Sequence, residues 1–139
     1  MTATQKPVCN DLKSILYVED DVLVRDMAKL VLEVLGKFSV RECNSGYGAL
    51  LAVVDFHPDL ILLGEPTSEC GHLDTLAMLR RLPRLAATPA VFLTGLPSES
   101  DIARYRQAGA LGVIAKPLAP MRLTAQVRSL WEQCRPMAL

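Results

Sequence analysis

The sequence predicts a single α/β domain in which five parallel strands alternate with five helices, a doubly wound sheet covered on both faces. Two observations predict this fold class. Five short runs rich in Ile, Val and Leu are each bounded by turn residues or charges, as buried strands are. The segments between them space their apolar residues as helices do. With 139 residues, half of them apolar, the chain is long enough to build one such core.

The predicted strands alternate with helices whose ends carry sequence signals. The strands cover residues 15–18, 38–41, 60–63, 90–94 and 112–115. In the first helix the apolar residues from Val24 to Leu35 follow helical spacing, and Gly36 is its expected C-cap. The second and third helices are predicted over 45–56 and 73–82, because a proline stops each of them.

The last two helices have well-marked first residues. Ser98 is the predicted N-cap of the fourth helix, Asp101 follows in capping-box position, and Gly109 closes it. The fifth helix begins at Pro120, since proline suits the first helical turn. Its apolar residues form one stripe: Leu123, Val127, Leu130, Trp131 and Cys134.

Composition excludes several classes of protein. The formal net charge is zero, whereas proteins that bind nucleic acids or anionic membranes carry an excess of Lys and Arg. No apolar run approaches transmembrane length, and residues 1–10 lack the apolar core of a signal peptide. The four cysteines form no CxxC pair, so neither a zinc ribbon nor a thioredoxin-like site is predicted. We therefore expect a cytoplasmic protein.

The domain is expected to cover residues 14–135. A polar, aperiodic segment over 1–13 predicts a flexible N-terminal tail, and 136–139 form a short C-terminal tail. The fifth predicted helix ends close to Leu139, which favours a stand-alone domain over one followed by an output domain.

Candidate chemistry lies where the strands end, because ligands of such sheets bind in the crevice outside the carboxyl ends of the strands. Glu19, Asp20 and Asp21 follow the first strand, where a dinucleotide-binding or flavin-binding fold would need glycines or hydroxyls to hold a phosphate. Carboxylates suit a hard cation such as Mg²⁺. The alternative is an acidic first turn for the helix that follows, with Asp21 as its N-cap.

Four segments together resemble the receiver domains of bacterial two-component response regulators, over nearly the whole chain. They are Ile15-Leu-Tyr-Val-Glu-Asp-Asp21, Pro58-Asp-Leu-Ile-Leu-Leu63, Val91-Phe-Leu-Thr-Gly95 and Gly109-Ala-Leu-Gly-Val-Ile-Ala-Lys-Pro117. The resemblance implies a flavodoxin-like sheet of strand order 2-1-3-4-5. It also implies that Glu19 and Asp20 bind Mg²⁺, that Lys116 contacts phosphoryl oxygens and precedes a cis proline bond, and that the Thr94 hydroxyl reports phosphorylation.

The resemblance fails at the residue that accepts the phosphoryl group. The acceptor aspartate should close the third strand, and the sequence has Gly64 there. A shift of register does not hide it, because the following helix keeps the family's spacing. Further departures lie nearby: Ser68 replaces a typical proline, His72 a typical glycine, and Val113 stands where a switch aromatic is common.

A glycine cannot form an acyl phosphate, and neighbouring acids offer no clear replacement. Asp59 lies at the opposite end of the strand, and Glu65 should point to the other face. Losing the carboxylate also removes a repulsion of roughly 3 kcal/mol per charge pair about 5 Å apart. Any Mg²⁺ site at Glu19 and Asp20 is therefore expected to be weak, and these acids can instead close as an internal ion pair with Lys116.

Three hypotheses follow. The first is a non-phosphorylatable receiver, not an enzyme, that works through contacts with a histidine kinase or another signalling protein, or as a homodimer through its fourth and fifth helices. Arg104, Tyr105 and Arg122 are its candidate interaction residues. The second keeps phosphoryl chemistry on a surrogate acceptor: Glu65, Thr67 or Ser68. The third treats Gly64 as an engineered change in a conventional receiver, against which the altered Ser68 and His72 argue.

Overall fold

The computed structural model describes residues 11–64, 71–95 and 97–133. Its five strands form one parallel sheet in the order β2-β1-β3-β4-β5. The strands are β1 (Ser14–Val18), β2 (Ser39–Cys43), β3 (Leu60–Gly64), β4 (Ala90–Gly95) and β5 (Ala110–Lys116). Fold class and strand order are those expected from the sequence and from the family resemblance.

Four helices connect the strands and a fifth follows β5, and a short 3₁₀ turn at Pro83–Leu85 precedes β4. The helices are α1 (Val22–Val34), α2 (Gly46–Ala52), α3 (His72–Leu79), α4 (Glu99–Gln107) and α5 (Pro120–Gln133). No helix among the described residues is long and apolar enough to span a bilayer.

Two helices end earlier than the sequence predicts. After each of them, an arginine side chain donates hydrogen bonds to backbone carbonyl oxygens of the chain that follows. After α2, the guanidinium of Arg84 donates to the carbonyl oxygens of Val53 and Phe56. After α3, that of Arg80 donates to the carbonyl oxygens of Leu85 and Thr88. Side-chain donors of this kind follow no fixed spacing from which a helix end can be read.

The helix starts follow the sequence signals. Asp21 caps α1 by accepting hydrogen bonds from the amides of Leu23 and Val24 at 3.0 and 3.1 Å. Ser98 and Asp101 form the predicted capping box of α4. The Ser98 amide and the Arg104 side chain, which both donate to Asp101, hold the pKa of its carboxyl below the usual range.

The first helix ends differently from the prediction. The residue with positive φ is Lys37, at 61°, and not Gly36. Position 36 needs a glycine for a steric reason instead, because a Cβ there would lie 2.6 Å from the ring of Phe38. Gly109, by contrast, closes α4 at a φ of 94°, the left-handed conformation predicted for it.

The sheet separates two cores. One lies beneath α1 and α5 and contains Tyr17, Leu62, Leu93 and Ile114 from the strands with Ala28, Leu32, Leu123, Val127 and Trp131 from the helices. The other lies beneath α2, α3 and α4 and contains Leu16, Val18, Ile61, Leu63, Phe92, Ala49, Leu76, Leu79 and Tyr105. Strand residues alternate between the two cores, as a sheet buried on both faces requires.

The folded domain begins earlier than residue 14. Leu12 is buried in the core beneath α1 and α5. The amides of Lys13 and Ser14 both donate to the carboxylate of Asp59, at 3.0 and 3.1 Å. Leu12 and Lys13, which were expected to belong to the N-terminal tail, therefore contact the folded domain. Residues 1–10, and the expected C-terminal tail over 136–139, lie outside the described residues.

Candidate functional site

Four strand ends meet at one edge of the sheet, and the register aligns them. Val18 pairs with Leu63, Gly64 with Leu93, and Gly95 with Lys116. Glu19 follows β1 directly, so its backbone lies level with the last residue of β3. The sheet therefore brings together at one edge the candidate residues that the sequence predicts there.

Glu19 and Lys116 form an ion pair across this edge. The ammonium group of Lys116 lies 3.0 Å from Oε1 and 3.1 Å from Oε2 of Glu19. The side chain of Glu19 is fully buried and that of Lys116 is 21 % exposed. The predicted internal ion pair is thus present between these two residues, and the Lys116–Pro117 peptide bond is cis, as the resemblance implied.

The carboxylate of Glu19 has other hydrogen-bond donors besides Lys116. The Tyr17 hydroxyl donates to Oε1 over 3.4 Å, and the amide of Asp21 donates to Oε2 over 3.3 Å. Burial, followed by the neighbouring Glu19 charge, raises the pKa of Tyr17, so this hydroxyl stays protonated and remains a donor. Each carboxylate oxygen therefore has two partners.

Gly64 provides the space in which this carboxylate lies. A Cβ built on Gly64 would be 2.1 Å from Oε1 of Glu19 and 2.7 Å from its Cδ. Real Cβ atoms do not approach other atoms so closely. The Glu19 carboxylate therefore lies where a larger side chain at position 64 would begin.

This arrangement does not fit a Mg²⁺ ion. The ion prefers carboxylate oxygens completed by water, whereas both oxygens of Glu19 already accept hydrogen bonds from protein donors. Within residues 11–64, 71–95 and 97–133, no three His, Cys, Asp or Glu side chains lie close enough to hold a metal. Asp20 is adjacent and partly buried. Metal binding here would require Glu19 to leave Lys116.

Of the other candidate residues, Thr94 lies at the same edge of the sheet and Asp59 lies at the opposite edge. Thr94 is buried near the end of β4, one register step before Gly95 and Lys116. Asp59 lies at the opposite end of β3, as predicted, where it binds the amides that begin β1. The surrogate acceptors Glu65, Thr67 and Ser68 lie outside the described residues.

A cluster of three rings packs behind the site and was not predicted. His72 packs edge-on against Phe92, with ring centroids 4.8 Å apart, and Tyr105 stacks on Phe92 at 4.5 Å. The Tyr105 hydroxyl lies 3.3 Å from Nε2 of His72. The residue that replaces a typical family glycine is therefore a buried part of the core, and it connects the first turn of α3 to α4.

This cluster corrects one member of the predicted interaction face. Tyr105 is only 4 % exposed, so its ring is not available at the surface. The apolar spacing of α4 is too sparse to show this from the sequence, because its neighbours Arg104 and Arg106 are charged. Val113, at the position of the switch aromatic, is half-buried and packs against the same core.

Arg104 and Arg122, the other predicted interaction residues, are exposed. Arg104 pairs with Asp101 at 2.9 Å and remains 62 % exposed. Arg122 borders a shallow groove of about 440 Å³ between β5 and α5, whose walls include Val113 and Met121. The face formed by α4, β5 and α5 thus combines exposed arginines with an apolar groove.

A second, deeper cavity of about 260 Å³ lies beside Gly64, between the first turns of α2 and α3. Its walls are mostly apolar, from Val18, Leu63 and Met78, with Glu19 and His72 at one side. Burial raises the pKa of the nearby Cys43 thiol to about 12, which disfavours the thiolate form.

Comparison with known proteins identifies relatives of this chain. The sequence profile of the response regulator receiver domain matches residues 15–128. The phosphate regulon transcriptional regulatory protein PhoB of Klebsiella pneumoniae is 32 % identical over 127 residues, 91 % of this chain and 55 % of PhoB. The chain therefore spans about half the length of that relative. The polar-differentiation response regulator DivK of Brucella ovis is 30 % identical over 117 residues, 84 % of this chain and 94 % of DivK.

Solved structures share the fold. The chemotaxis response regulator CheY4 of Vibrio cholerae superposes with a TM-score of 0.77 at 22 % identity, covering 86 % of this chain and 99 % of CheY4. Receiver domains in general bind Mg²⁺ at their phosphorylation site and interact with histidine kinases and other signalling proteins. On the match of the family profile to most of its length, this chain belongs to the response regulator receiver domain family.

Proposed function

We propose that this chain is a non-phosphorylatable receiver that transmits information by protein contact. The observation that carries the proposal is the exchange at the end of β3: Gly64 offers no carboxylate, and the carboxylate of Glu19 fills the adjacent space and binds Lys116. An acyl phosphate needs an aspartate at this position. The lysine that would contact phosphoryl oxygens is already neutralised by Glu19.

The proposed partners are a histidine kinase or another signalling protein of the cytoplasm. The face formed by α4, β5 and α5 supports this proposal, because Arg122 lies beside an apolar groove there and Arg104 is exposed on α4. A homodimer through α4 and α5 would use the same face. The zero net charge gives no support for a nucleic-acid partner.

A second candidate keeps phosphoryl transfer on a surrogate acceptor. Glu65, Thr67 and Ser68 come shortly after Gly64 in the sequence, in a segment outside the described residues. A phosphoryl group on any of them would let the domain change its conformation in response to phosphorylation, instead of keeping one conformation.

The proposal predicts that a phosphodonor leaves the conformation unchanged. ¹⁵N-labelled protein is mixed with acetyl phosphate and Mg²⁺, and its amide NMR spectrum is compared with that of the untreated sample. We expect superimposable signals for β5 and α4, while a conventional receiver treated in parallel shows shifts. Signals that move and then return as the phosphodonor is consumed would contradict the proposal and support the surrogate acceptor.

A further inference from the structure

The structure assigns Glu19 a role other than metal binding: we infer that its carboxylate substitutes for the missing acceptor side chain and holds Lys116 in one fixed position. The inference rests on the proposed function, because it describes how a site without an acceptor is kept closed. It concerns the state of the domain, which would then be constant and independent of metal or phosphoryl group.

The position of the carboxylate supports this assignment. The three heavy atoms nearest to a Cβ built on Gly64 all belong to Glu19, namely Oε1, Cδ and Oε2 at 2.1, 2.7 and 3.2 Å. Loss of the side chain at 64 and entry of the Glu19 carboxylate are therefore one change in packing. A side chain at position 64 would require this carboxylate to move.

The length of Glu19 is part of the same argument. Its carboxylate reaches past the end of β3 to contact Lys116, a residue 97 positions away in the sequence at the end of β5. An aspartate at position 19 has one methylene fewer, so its carboxylate would fall short of the ammonium group. A fully buried carboxylate without that partner would be costly.

The contact links two strands that are not neighbours in the sheet. Glu19 follows β1, and Lys116 is the last residue of β5, two strands farther along the sheet than β3. Leu118, two residues after Lys116, packs against the core beneath α1 and α5. The ion pair therefore fixes the junction between β5 and α5, which borders the proposed interaction face.

A double-mutant cycle tests the inference. Gly64→Ala keeps every charge but drives the carboxylate away, and we expect the Tm to fall by roughly 3–8 °C, as loss of a buried contact in a domain of this size implies. In a Glu19→Ala background the three heavy atoms nearest to the new Cβ are gone, so the same substitution should no longer lower the Tm. Gly95→Ala is the matched control, since a Cβ at this end of β4 meets nothing within 4 Å.

The position of Lys116 gives a second readout. In ¹⁵N-lysine NMR its ammonium signal should be visible and slow to exchange in the parent, and lost in Gly64→Ala and in Glu19→Asp. A Gly64→Ala protein with the parent's Tm and an unchanged ammonium signal would overturn the inference. So would equal destabilisation by Gly64→Ala with and without the Glu19 side chain. Phosphorylation of the parent would contradict the proposed function and leave this cycle intact, so the two failures are distinguishable.

Discussion

Gly64→Asp is expected to bind Mg²⁺ at least about tenfold more tightly than the parent, a difference of roughly 1.4 kcal/mol, and to unfold at lower temperature when the ion is absent. The new Cβ cannot coexist with the Glu19 carboxylate, which lies 2.1 Å from its position. Glu19 would be released from Lys116 and would join Asp20 and the new aspartate as a third carboxylate. Their mutual repulsion costs stability until a cation neutralises it.

Gly64→Ala is the matched control for this experiment. It displaces Glu19 in the same way but adds no carboxylate, so calorimetric titration of the three proteins with Mg²⁺ separates the released acid from the new one. Equal affinities of the parent and Gly64→Asp would mean that Glu19 and Asp20 do not act as metal ligands. We expect phosphorylation of Gly64→Asp to remain weak, because His72, which replaces a typical family glycine in the first turn of α3, is packed against Phe92 and Tyr105 and holds this turn in place.

Lys116→Met is expected to lower the free energy of unfolding by about 3 kcal/mol, since it leaves the buried Glu19 carboxylate without its cation. Replacing Glu19 by glutamine in the same protein should restore most of the loss, because a neutral amide needs no counter-ion. Urea denaturation of the parent, the single variant and the double variant measures both effects.

Arg104→Met serves as the comparison. It also removes the cation of an ion pair, but Arg104 is 62 % exposed, and exposed pairs contribute less than about 1 kcal/mol. If Lys116→Met cost no more than Arg104→Met, the pair between Glu19 and Lys116 would not be a stabilising element of the site. The same conclusion would follow if Glu19→Gln failed to rescue it.

The fold could be predicted because its signals are local. Strands buried on both faces appear as continuous apolar runs, and the caps at Asp21 and Ser98 mark helix starts. Helix ends were predicted less well, since the ends of α2 and α3 depend on Arg84 and Arg80, whose carbonyl partners are distant or lie in irregular chain. Such contacts have no spacing rule.

The sequence predicts which candidate residues meet at one edge of the sheet but not how they pack. Glu19 follows β1, and Gly64 and Lys116 end β3 and β5, so the parallel strands bring them together. The sequence could not show that the Glu19 carboxylate enters the space beside Gly64, or that the Tyr17 hydroxyl donates to it. Tyr105 was assigned to the interaction face because receivers often use this helix for partner contacts, whereas a stack on Phe92 buries it.

Intact-mass analysis after incubation with acetyl phosphate and Mg²⁺ tests the central claim most directly. Because Gly64 has no carboxylate and Lys116 is paired with Glu19, we predict that the parent mass is unchanged. A conventional receiver in the same reaction should gain one acid-labile phosphoryl group. A stoichiometric gain of one phosphoryl group by the parent, mapped to Glu65, Thr67, Ser68 or any other residue near the site, would contradict the account.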